Sequence, residues 1–252
     1  MLLMEQGIKS IVVDAGNTRI KVALFQDSNI QEVHAFSNDQ LDKLKSFLIK
    51  HKNLRGIISS VRSDKNTKWI KGLLPNSILF SNSLPVPLTN NYESPQTLGI
   101  DRLANAIAAA NISEKNALVI DVGTCIKYDF VRYPQIYEGG SISPGIELRY
   151  RSMHQFTGKL PLIEDRAQGP FLGKNTQDAM RSGVMNGMHL EMVGFIEEYR
   201  RLYPELTIFL TGGDSQYFEL GNKYGIFADE NLTLKGLLIA LLHAQTFHSS
   251  SI

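Results

Sequence analysis

The pattern that decides the fold is IVVDAGNTRIKVALF at residues 11–25, and it returns as LVIDVGTCIKYDFV at residues 118–131. With one gap at Asn17, the aligned pairs are Asp14 and Asp121, Gly16 and Gly123, Thr18 and Thr124, Ile20 and Ile126, and Lys21 and Lys127. Each copy reads as a strand, an acidic-glycine turn and a second strand, and such a turn offers backbone N–H groups and hydroxyls to a charged ligand. Two copies predict a duplicated domain with one polyanion held between the halves, which points to ATP.

Composition favours a cytoplasmic protein built from two small domains. A chain of 252 residues is long enough for two domains of the usual size. The formal net charge is +1 with 20% charged residues, so no field is evident that would attract nucleic acid or an anionic membrane. One cysteine cannot form an internal disulfide, which favours a reducing compartment. The first ten residues lack the features of a signal peptide, and the apolar segment LLIALLHA is shorter than the ~20 residues that span a bilayer.

Each half of the chain reads as three strands followed by alternating helices and strands. In the first half, the predicted strands cover 12–14, 20–25, 30–36, 56–61 and 78–80, and the predicted helices cover 41–48, 67–74 and 101–110. In the second half, the strands cover 117–122, 126–131, 136–142 and 207–210, and the helices cover 176–202 and 232–244. This order predicts a mixed sheet flanked by helices in each of two domains, 1–115 and 116–252.

Two further segments of the second half carry predictions of their own. The glycine-rich stretch GGSISPG at 139–145 reads as a turn-rich junction that shapes the second wall of the cleft, and Pro144 could sit near the start of a helix. The basic segment at 149–159 reads as a solvated loop or the rim of a dimer rather than a nucleic-acid site. The methionine-rich helix at 176–202 is a candidate dimer seam, although its apolar positions could equally face the internal core.

Five motifs follow one another along the chain: DAGNTRIK at 14–21, GIDR at 99–102, DVGT at 121–124, GGSISPG at 139–145 and TGGD at 211–214. Together they resemble the type III pantothenate kinases, within the superfamily of acetate kinase, sugar kinases, heat-shock protein 70 and actin. The resemblance extends from Asp14 to the NLTLKGLL segment at 231–238. It implies two ribonuclease H-like, or actin-like ATPase, domains that phosphorylate the pantothenate hydroxyl with ATP, the first step of coenzyme A synthesis. It also implies a homodimer that uses Mg²⁺ together with a monovalent cation, K⁺ or NH₄⁺.

The resemblance assigns ATP binding to both acidic-glycine turns. The residues so assigned are Asp14, Ala15, Gly16, Asn17, Thr18, Arg19, Ile20, Lys21 and Thr124. Within the first turn, Gly16 allows close approach of the backbone and Lys21 supplies positive charge. Asp14 is expected near Mg²⁺ through water, because Mg²⁺ gives up its waters reluctantly. The alternative for this turn is an ordinary hairpin closed by an Asx-type hydrogen bond.

The resemblance assigns the substrate site to Tyr92, Gly99, Ile100, Asp101, Arg102 and Thr176. In this assignment Asp101 is the general base that takes the proton from the substrate hydroxyl, and Arg102 could bind an anionic group such as the pantothenate carboxylate. The alternatives are structural. Asp101 could cap the following helix and pair with Arg102, and Tyr92 could be an exposed loop aromatic. The hydroxyl of Thr176 could cap its own helix, a role that Asn175 could fill instead.

The second turn departs from the usual pattern of the family at two positions. The resemblance makes Asp121 the ligand of the monovalent cation, but the turn is followed by Cys125 and Lys127, where small or hydroxyl-bearing residues are usual. Cys125 is expected to be a packed side chain. Lys127 either adds charge beside the phosphates or points to solvent. The six histidines show no spacing typical of metal ligands.

Two other functions remain compatible with the sequence. The fold hosts several substrates, so a different small-molecule kinase, such as a sugar kinase, is one alternative. A non-catalytic transcriptional accessory factor is the other, although an intact Asp101 and two phosphate turns favour an active enzyme.

Overall fold

The structure is a computed structural model that describes residues 9–220 and 224–249. The chain divides into two compact units. The first comprises the chain up to Ala108 together with the segment from Asn231 onward, and the second comprises Ala109–Glu230.

The first unit is a mixed sheet with helices. Its strands are β1 (Lys9–Ala15), β2 (Arg19–Gln26), β3 (Asn29–Ser37), β4 (Arg55–Ser60) and β5 (Ser77–Leu79), followed by the short strand β6 (Thr89–Asn90). Its helices are α1 (Leu41–Lys50), α2 (Asp64–Leu73), α3 (Ile100–Ile112), which leads into the second unit, and α7 (Leu232–Ser249). The sheet has the order β3-β2-β1-β4-β5, in which the first three strands are antiparallel and β4 and β5 run parallel to β1.

The second unit repeats this topology. Its strands are β7 (Asn116–Val122), β8 (Cys125–Arg132), β9 (Ile136–Pro144), β10 (Leu206–Thr211) and β11 (Ile226–Ala228). They lie in the order β9-β8-β7-β10-β11, again with three antiparallel strands followed by two parallel ones. Its helices are α4 (Ile146–Phe156), α5 (Thr176–Arg181) and α6 (Gly187–Leu202), and a π-helical segment, Ser182–Asn186, joins the last two. The same strand order in both units confirms the predicted fold class of two mixed sheets flanked by helices.

The alternation of side chains along β1 places Ile11 and Val13 on the opposite face of the sheet from Asp14. Ile11 and Val13 are fully buried in a cluster with Leu44 and Leu48 of α1. Successive side chains of a strand point to opposite faces, so Asp14 lies on the face of β1 opposite to this cluster, and it is half-buried there.

The last helix, α7, belongs to the first unit. The domains predicted from the sequence, 1–115 and 116–252, had placed it in the second domain. It contacts β1 and β4, and Thr233 donates to Asn105 Oδ1 of α3 at 2.8 Å. At Gly236 the two helices approach so closely that an added Cβ would lie 1.8 Å from the carbonyl oxygen of Ala104. The sequence of α7 is apolar on most sides and therefore does not reveal which sheet it covers.

Two local predictions in the second unit need correction. The strand predicted at 136–142 is confirmed and runs further, because β9 continues to Pro144, so most of the stretch at 139–145 is strand and not a turn-rich junction. Gly140 is needed there for close strand packing, since an added Cβ would lie 1.7 Å from the carbonyl oxygen of Tyr128. The loop alternative for the basic segment is wrong, because α4 runs through it to Phe156 and buries Ile146 and Tyr150, while the dimer-rim alternative stays a prediction.

The apolar side of the methionine-rich helix faces the internal core, which is the second of the two alternatives that the sequence left open. Met180, Met185, Met188 and Met192 are all buried in the main hydrophobic cluster of the second unit. These methionines are therefore not available as a dimer seam.

Candidate active site

The first acidic-glycine turn connects β1 to β2 and presents polar groups at its tip. The two strands pair up to Ala15 and Ile20, which places Asp14 opposite Lys21. Residues directly opposite each other in an antiparallel pair share one face of the sheet, about 5 Å apart at Cβ. Asn17 and Thr18 are exposed. The turn can therefore offer an ammonium, a hydroxyl and backbone N–H groups to a phosphate chain.

Arg62 braces this turn and was missed by the sequence analysis. Its Nε donates to the carbonyl oxygen of Gly16 at 2.7 Å, and its Nη2 donates to the carbonyl oxygen of Asn17 at 3.4 Å and to Asn38 Oδ1 at 2.8 Å. In a trans peptide the N–H points opposite to the C=O of the same unit. Because Arg62 holds the two carbonyls, the N–H groups of the same peptide units point away from Arg62 and are available to an anion.

A signal for Arg62 was present in the sequence. It lies just after β4, which runs parallel to β1, and the carboxyl ends of parallel strands meet at the edge of the sheet where ligands bind in α/β proteins.

The edge beside Asp14 has oxygen donors that fit Mg²⁺. Asp14 and Ser59 lie side by side on the parallel strands β1 and β4 and share a face. Ser59 is fully buried, and its Oγ has no hydrogen-bond partner among the described residues. Mg²⁺ in kinases is typically held by one or two carboxylates together with waters and substrate phosphates, so a single carboxylate with a neighbouring hydroxyl is a sufficient protein contribution.

The GIDR motif forms the start of α3 and positions Asp101. The Asp101 Oδ1 atom accepts a hydrogen bond from the backbone N–H of Arg102 at 2.9 Å. An added Cβ at Gly99 would lie 2.7 Å from the same oxygen, so a side chain at this position would displace the carboxylate. Asp101 is the second residue of the helix, inside it rather than at the capping position. Asn82 fixes the approach to the motif, since its Nδ2 donates to the carbonyl oxygen of Leu98 at 2.9 Å.

The structure brings two more of the predicted substrate residues together at the same place. The Cζ atom of Arg102 lies 5.6 Å from the centre of the Tyr92 ring, a cation–π distance. Arg102 is 4% exposed and Tyr92 is half-buried. Tyr92 is therefore a packed aromatic rather than a free loop side chain, and it sets the orientation of the guanidinium.

In the second unit, three glycine-containing motifs meet around the DVGT turn. The N–H of Gly145 donates to the carbonyl oxygen of Thr124 at 3.0 Å, and the N–H of Asp214 donates to that of Val122 at 2.9 Å. Gly212 has a φ of +97°, and an added Cβ there would lie 2.2 Å from the Val122 carbonyl oxygen. The chain is held tightly on both sides of the turn, and Thr124 stays exposed at its tip.

At the base of this turn, Lys127 forms an ion pair with Asp121. The Nζ atom lies 2.6 Å from Asp121 Oδ2, and the two side chains are 17% and 13% exposed. The prediction that Lys127 points to solvent is therefore wrong, and its placement beside the phosphates stays a prediction. The resemblance implies a monovalent cation at Asp121, but the donor set does not fit one, because the ammonium already occupies the carboxylate.

Glu191 of α6 links the elements behind this turn. It accepts hydrogen bonds from the Tyr128 hydroxyl at 2.9 Å and the Ser143 hydroxyl at 3.2 Å, and it pairs with Arg149. Burial, together with the neighbouring carboxylate of Glu191, raises the pKa of Tyr128 far above its usual value. Tyr128 therefore stays protonated and remains a donor, which ties β8, β9 and α4 to the long helix.

Thr176 is the first residue of α5 and is exposed. The cap of this helix is Asn175, whose Oδ1 accepts from the backbone N–H of Asp178 at 2.9 Å. Thr176 is thus not needed as the cap, and its contact with substrate stays a prediction.

Metal clusters and membrane-spanning helices are both absent from residues 9–220 and 224–249. No cluster of three or more His, Cys, Asp or Glu side chains in this part of the chain could hold a metal ion. No helix within it has both the length and the apolar character of a membrane span.

Solved structures share this fold. A protein from Campylobacter jejuni described as a Baf family transcriptional activator matches with a TM-score of 0.63 and 21% identity, over 94% of this chain and 99% of that one. A glucokinase from an Antarctic psychrotroph matches with a TM-score of 0.50 and 13% identity, also over 94% of this chain and 99% of that one. At these identities the likeness shows the fold alone, which is the duplicated actin-like ATPase fold that sugar kinases use.

The fold, the paired turns and the carboxylate at the start of α3 define a small-molecule kinase of this superfamily. The family model for type III pantothenate kinases matches residues 10–199. A type III pantothenate kinase from Phocaeicola vulgatus is 44% identical over 232 residues, which cover 90% of this chain and 96% of the relative. The chain belongs to the type III pantothenate kinase family, and with that family it shares the use of ATP and a divalent metal.

Proposed function

We propose that this chain transfers the γ-phosphoryl group of ATP to the hydroxyl of pantothenate, giving 4'-phosphopantothenate for coenzyme A synthesis. The observation that carries the proposal is the family match over residues 10–199, within which the GIDR carboxylate is intact and fixed in position. The likeness to a glucokinase concerns the fold only, and so it does not favour a sugar as the substrate.

Phosphoryl transfer depends on positioning and charge stabilisation, and the residues divide along those lines. The turn held by Arg62 binds the phosphates through its backbone N–H groups, and Lys21 adds positive charge. Asp14 and Ser59 face Mg²⁺, which neutralises charge on the phosphate oxygens when it is bound. Thr124 contacts the nucleotide from the second turn.

Asp101 receives the proton of the substrate hydroxyl, so that the oxygen can attack the γ-phosphorus as the bond to ADP breaks. Its carboxylate is oriented by the backbone N–H of Arg102, and the side chain of Arg102, stacked on Tyr92, supplies a cation for an anionic group of the substrate. Thr176 adds a hydroxyl contact to pantothenate.

The test is product formation by the purified protein. With ATP and Mg²⁺, pantothenate should yield 4'-phosphopantothenate, detected by mass spectrometry, while glucose and N-acetylmannosamine should yield no phosphorylated product. A protein that phosphorylates the sugars but not pantothenate would contradict the proposal.

The role of Asp101 is tested by Asp101→Asn. Loss of a general base should lower turnover roughly 10²- to 10⁴-fold while ATP still binds, as measured by calorimetry. Asp64→Asn is the matched control, because Asp64 is an exposed aspartate in the first turn of another helix of the same unit. Near-normal turnover by Asp101→Asn would remove Asp101 from the mechanism.

We also propose that the chain forms a homodimer, since closed two-fold pairs are the commonest oligomers. The second unit exposes three large apolar side chains next to its helices: Phe156 at 80%, Phe171 at 77% and Leu172 at 75%. A second copy of the chain would cover them. Light scattering should give a dimer, and a monomer at micromolar concentration would contradict the proposal. A cytoplasmic location stays a prediction.

A further inference from the structure

We propose that the ammonium of Lys127 takes the place of the monovalent cation, so that this chain transfers phosphate without K⁺ or NH₄⁺. The inference rests on the proposed kinase function. It concerns the base of the DVGT turn, where the ion pair between Lys127 and Asp121 lies.

The carboxylate of Asp121 already holds one cation, the ammonium of Lys127. Asp121 Oδ2 is 2.6 Å from Lys127 Nζ, a charge-assisted hydrogen bond at the short end of the usual range. Oδ1 lies on the side of Gly212, where an added Cβ would be only 2.6 Å away from it. Both side chains are mostly buried, so water screens the pair weakly. A K⁺ ion at this carboxylate would have to displace Lys127 or bear its repulsion.

The ammonium also stands where a fixed positive charge is useful. The turn between Asp121 and Lys127 is closed by a hydrogen bond from the Gly123 N–H to the Cys125 carbonyl oxygen at 3.0 Å, with Thr124 exposed at the tip. A lysine ammonium is a compact point charge with three donors. One donor satisfies Asp121, and the positive charge remains at the base of a turn that is assigned to the nucleotide.

The first unit uses the same arrangement. Lys21 lies opposite Asp14 on the β1–β2 hairpin, just as Lys127 lies opposite Asp121 on the β7–β8 hairpin. In both units the last residue but one of the first strand is an aspartate that lies opposite a lysine of the second strand. The duplicated hairpin thus places a lysine opposite the aspartate in each copy, and in the second copy Lys127 Nζ lies 2.6 Å from Asp121 Oδ2.

The first experiment measures the rate of the wild-type protein with and without monovalent cations. Tris salts of ATP and pantothenate are used, and N-methylglucamine chloride, KCl or NH₄Cl maintains a constant ionic strength. The wild-type rate should stay within about twofold across the three salts, because a fixed charge is already in place. A rise of about tenfold or more with K⁺ or NH₄⁺ would overturn the proposal.

Two variants separate a replaced cation from an ordinary structural ion pair. Lys127→Ala removes the charge and opens space, so its rate should fall about tenfold in N-methylglucamine and recover in K⁺ or NH₄⁺. Lys127→Met removes the charge but keeps the volume, so its rate should fall without recovery. Lys115→Ala is the matched control, because Lys115 belongs to an exposed pair with Glu205 at 3.7 Å. A Lys127→Ala protein that stays slow in every salt would mean that the pair is structural only.

A thermal readout keeps this inference separate from the proposed function. Without substrates, the melting temperature of Lys127→Ala should rise in KCl relative to N-methylglucamine, since an ion that binds only the folded state stabilises it. The wild-type melting temperature should not differ between the two salts. If the wild type phosphorylates no pantothenate, the proposed function fails while this comparison still decides whether Lys127 fills a cation site. The wild-type measurements remain decisive even if Lys127→Ala is too unstable to purify.

Discussion

Replacement of Arg62 by alanine should impair ATP use more than it impairs folding. The change removes hydrogen bonds to two carbonyls of the first turn, at 2.7 Å to Gly16 and 3.4 Å to Asn17. Hydrogen bonds to a charged group contribute about 1.5–3 kcal/mol each, but the second bond is long and Arg62 is half-exposed, so about 2 kcal/mol is a reasonable total. If all of it is lost from the pre-ordered turn, kcat/KM for ATP falls about 30-fold, since 1.4 kcal/mol is a factor of ten.

The assay is the initial rate at saturating pantothenate with ATP varied, together with the melting temperature. Arg62→Lys keeps the charge but cannot reach both carbonyls and Asn38 at once, so an intermediate kcat/KM is expected. Arg55→Ala is the control, because Arg55 lies at the opposite end of β4 from Arg62 and donates to Gln245 at 3.2 Å. The reasoning is refuted if Arg62→Ala keeps kcat/KM for ATP within about twofold of wild type at an unchanged melting temperature.

Three other predictions concern stability and substrate binding. Gly212→Ala should lower the free energy of unfolding by more than about 2 kcal/mol, because its φ is +97° and an added Cβ would clash with backbone atoms. The measurement is a denaturant titration, and the control is Gly194→Ala, where an added Cβ meets open space. Asn175→Ala should lose about 1 kcal/mol of stability and keep the KM for pantothenate, because Asn175 caps the helix. Thr176→Ala should raise the KM for pantothenate and keep the stability. The opposite result would mean that Thr176 is the cap and Asn175 the substrate contact. Burial lowers the pKa of His51, so the unfolded chain binds a proton more readily than the folded one. The free energy of unfolding should therefore fall as the pH drops through about 6.5. Urea midpoints measured against pH should show a weaker dependence in His51→Asn.

The sequence predicted those parts of the fold that depend on local pattern. Alternation along 11–25 and 118–131 placed both hairpins correctly, and the copies aligned because each has to bury one face and turn through glycine. The start of α4 was predicted near Pro144, but its course through the basic segment was missed although its signal was present. Ile146, Tyr150 and Met153 have helical spacing and face the core, but charged residues between them hid the pattern.

The GGSISPG stretch shows why glycine can mislead. In a turn, glycine supplies positive φ, and in a strand it can allow another chain to approach. Gly140 serves the second purpose, against the backbone of Tyr128. Only the neighbouring strand distinguishes the two uses, and that strand is identified by pairing rather than by composition.

The candidate site was predictable where one motif holds it and less so where distant residues meet. The resemblance supplied Asp14, Asp101 and Asp121, but Arg62 comes from a separate strand, 46 positions from the carbonyl it binds. The ion pair of Lys127 was accessible in principle. The duplicated hairpin places a lysine opposite the aspartate in both copies, so their alignment contained the cross-strand contact.

The position of α7 has a consequence for the order in which the protein can be made. The second unit is one continuous stretch of chain, so it has all its residues once Glu230 has been synthesised. The first unit begins earlier but lacks the helix that covers β1 and β4 until the ribosome has added residues 232–249. The part translated first is therefore completed last, because β1 and β4 lack this helix until residues 232–249 have been added.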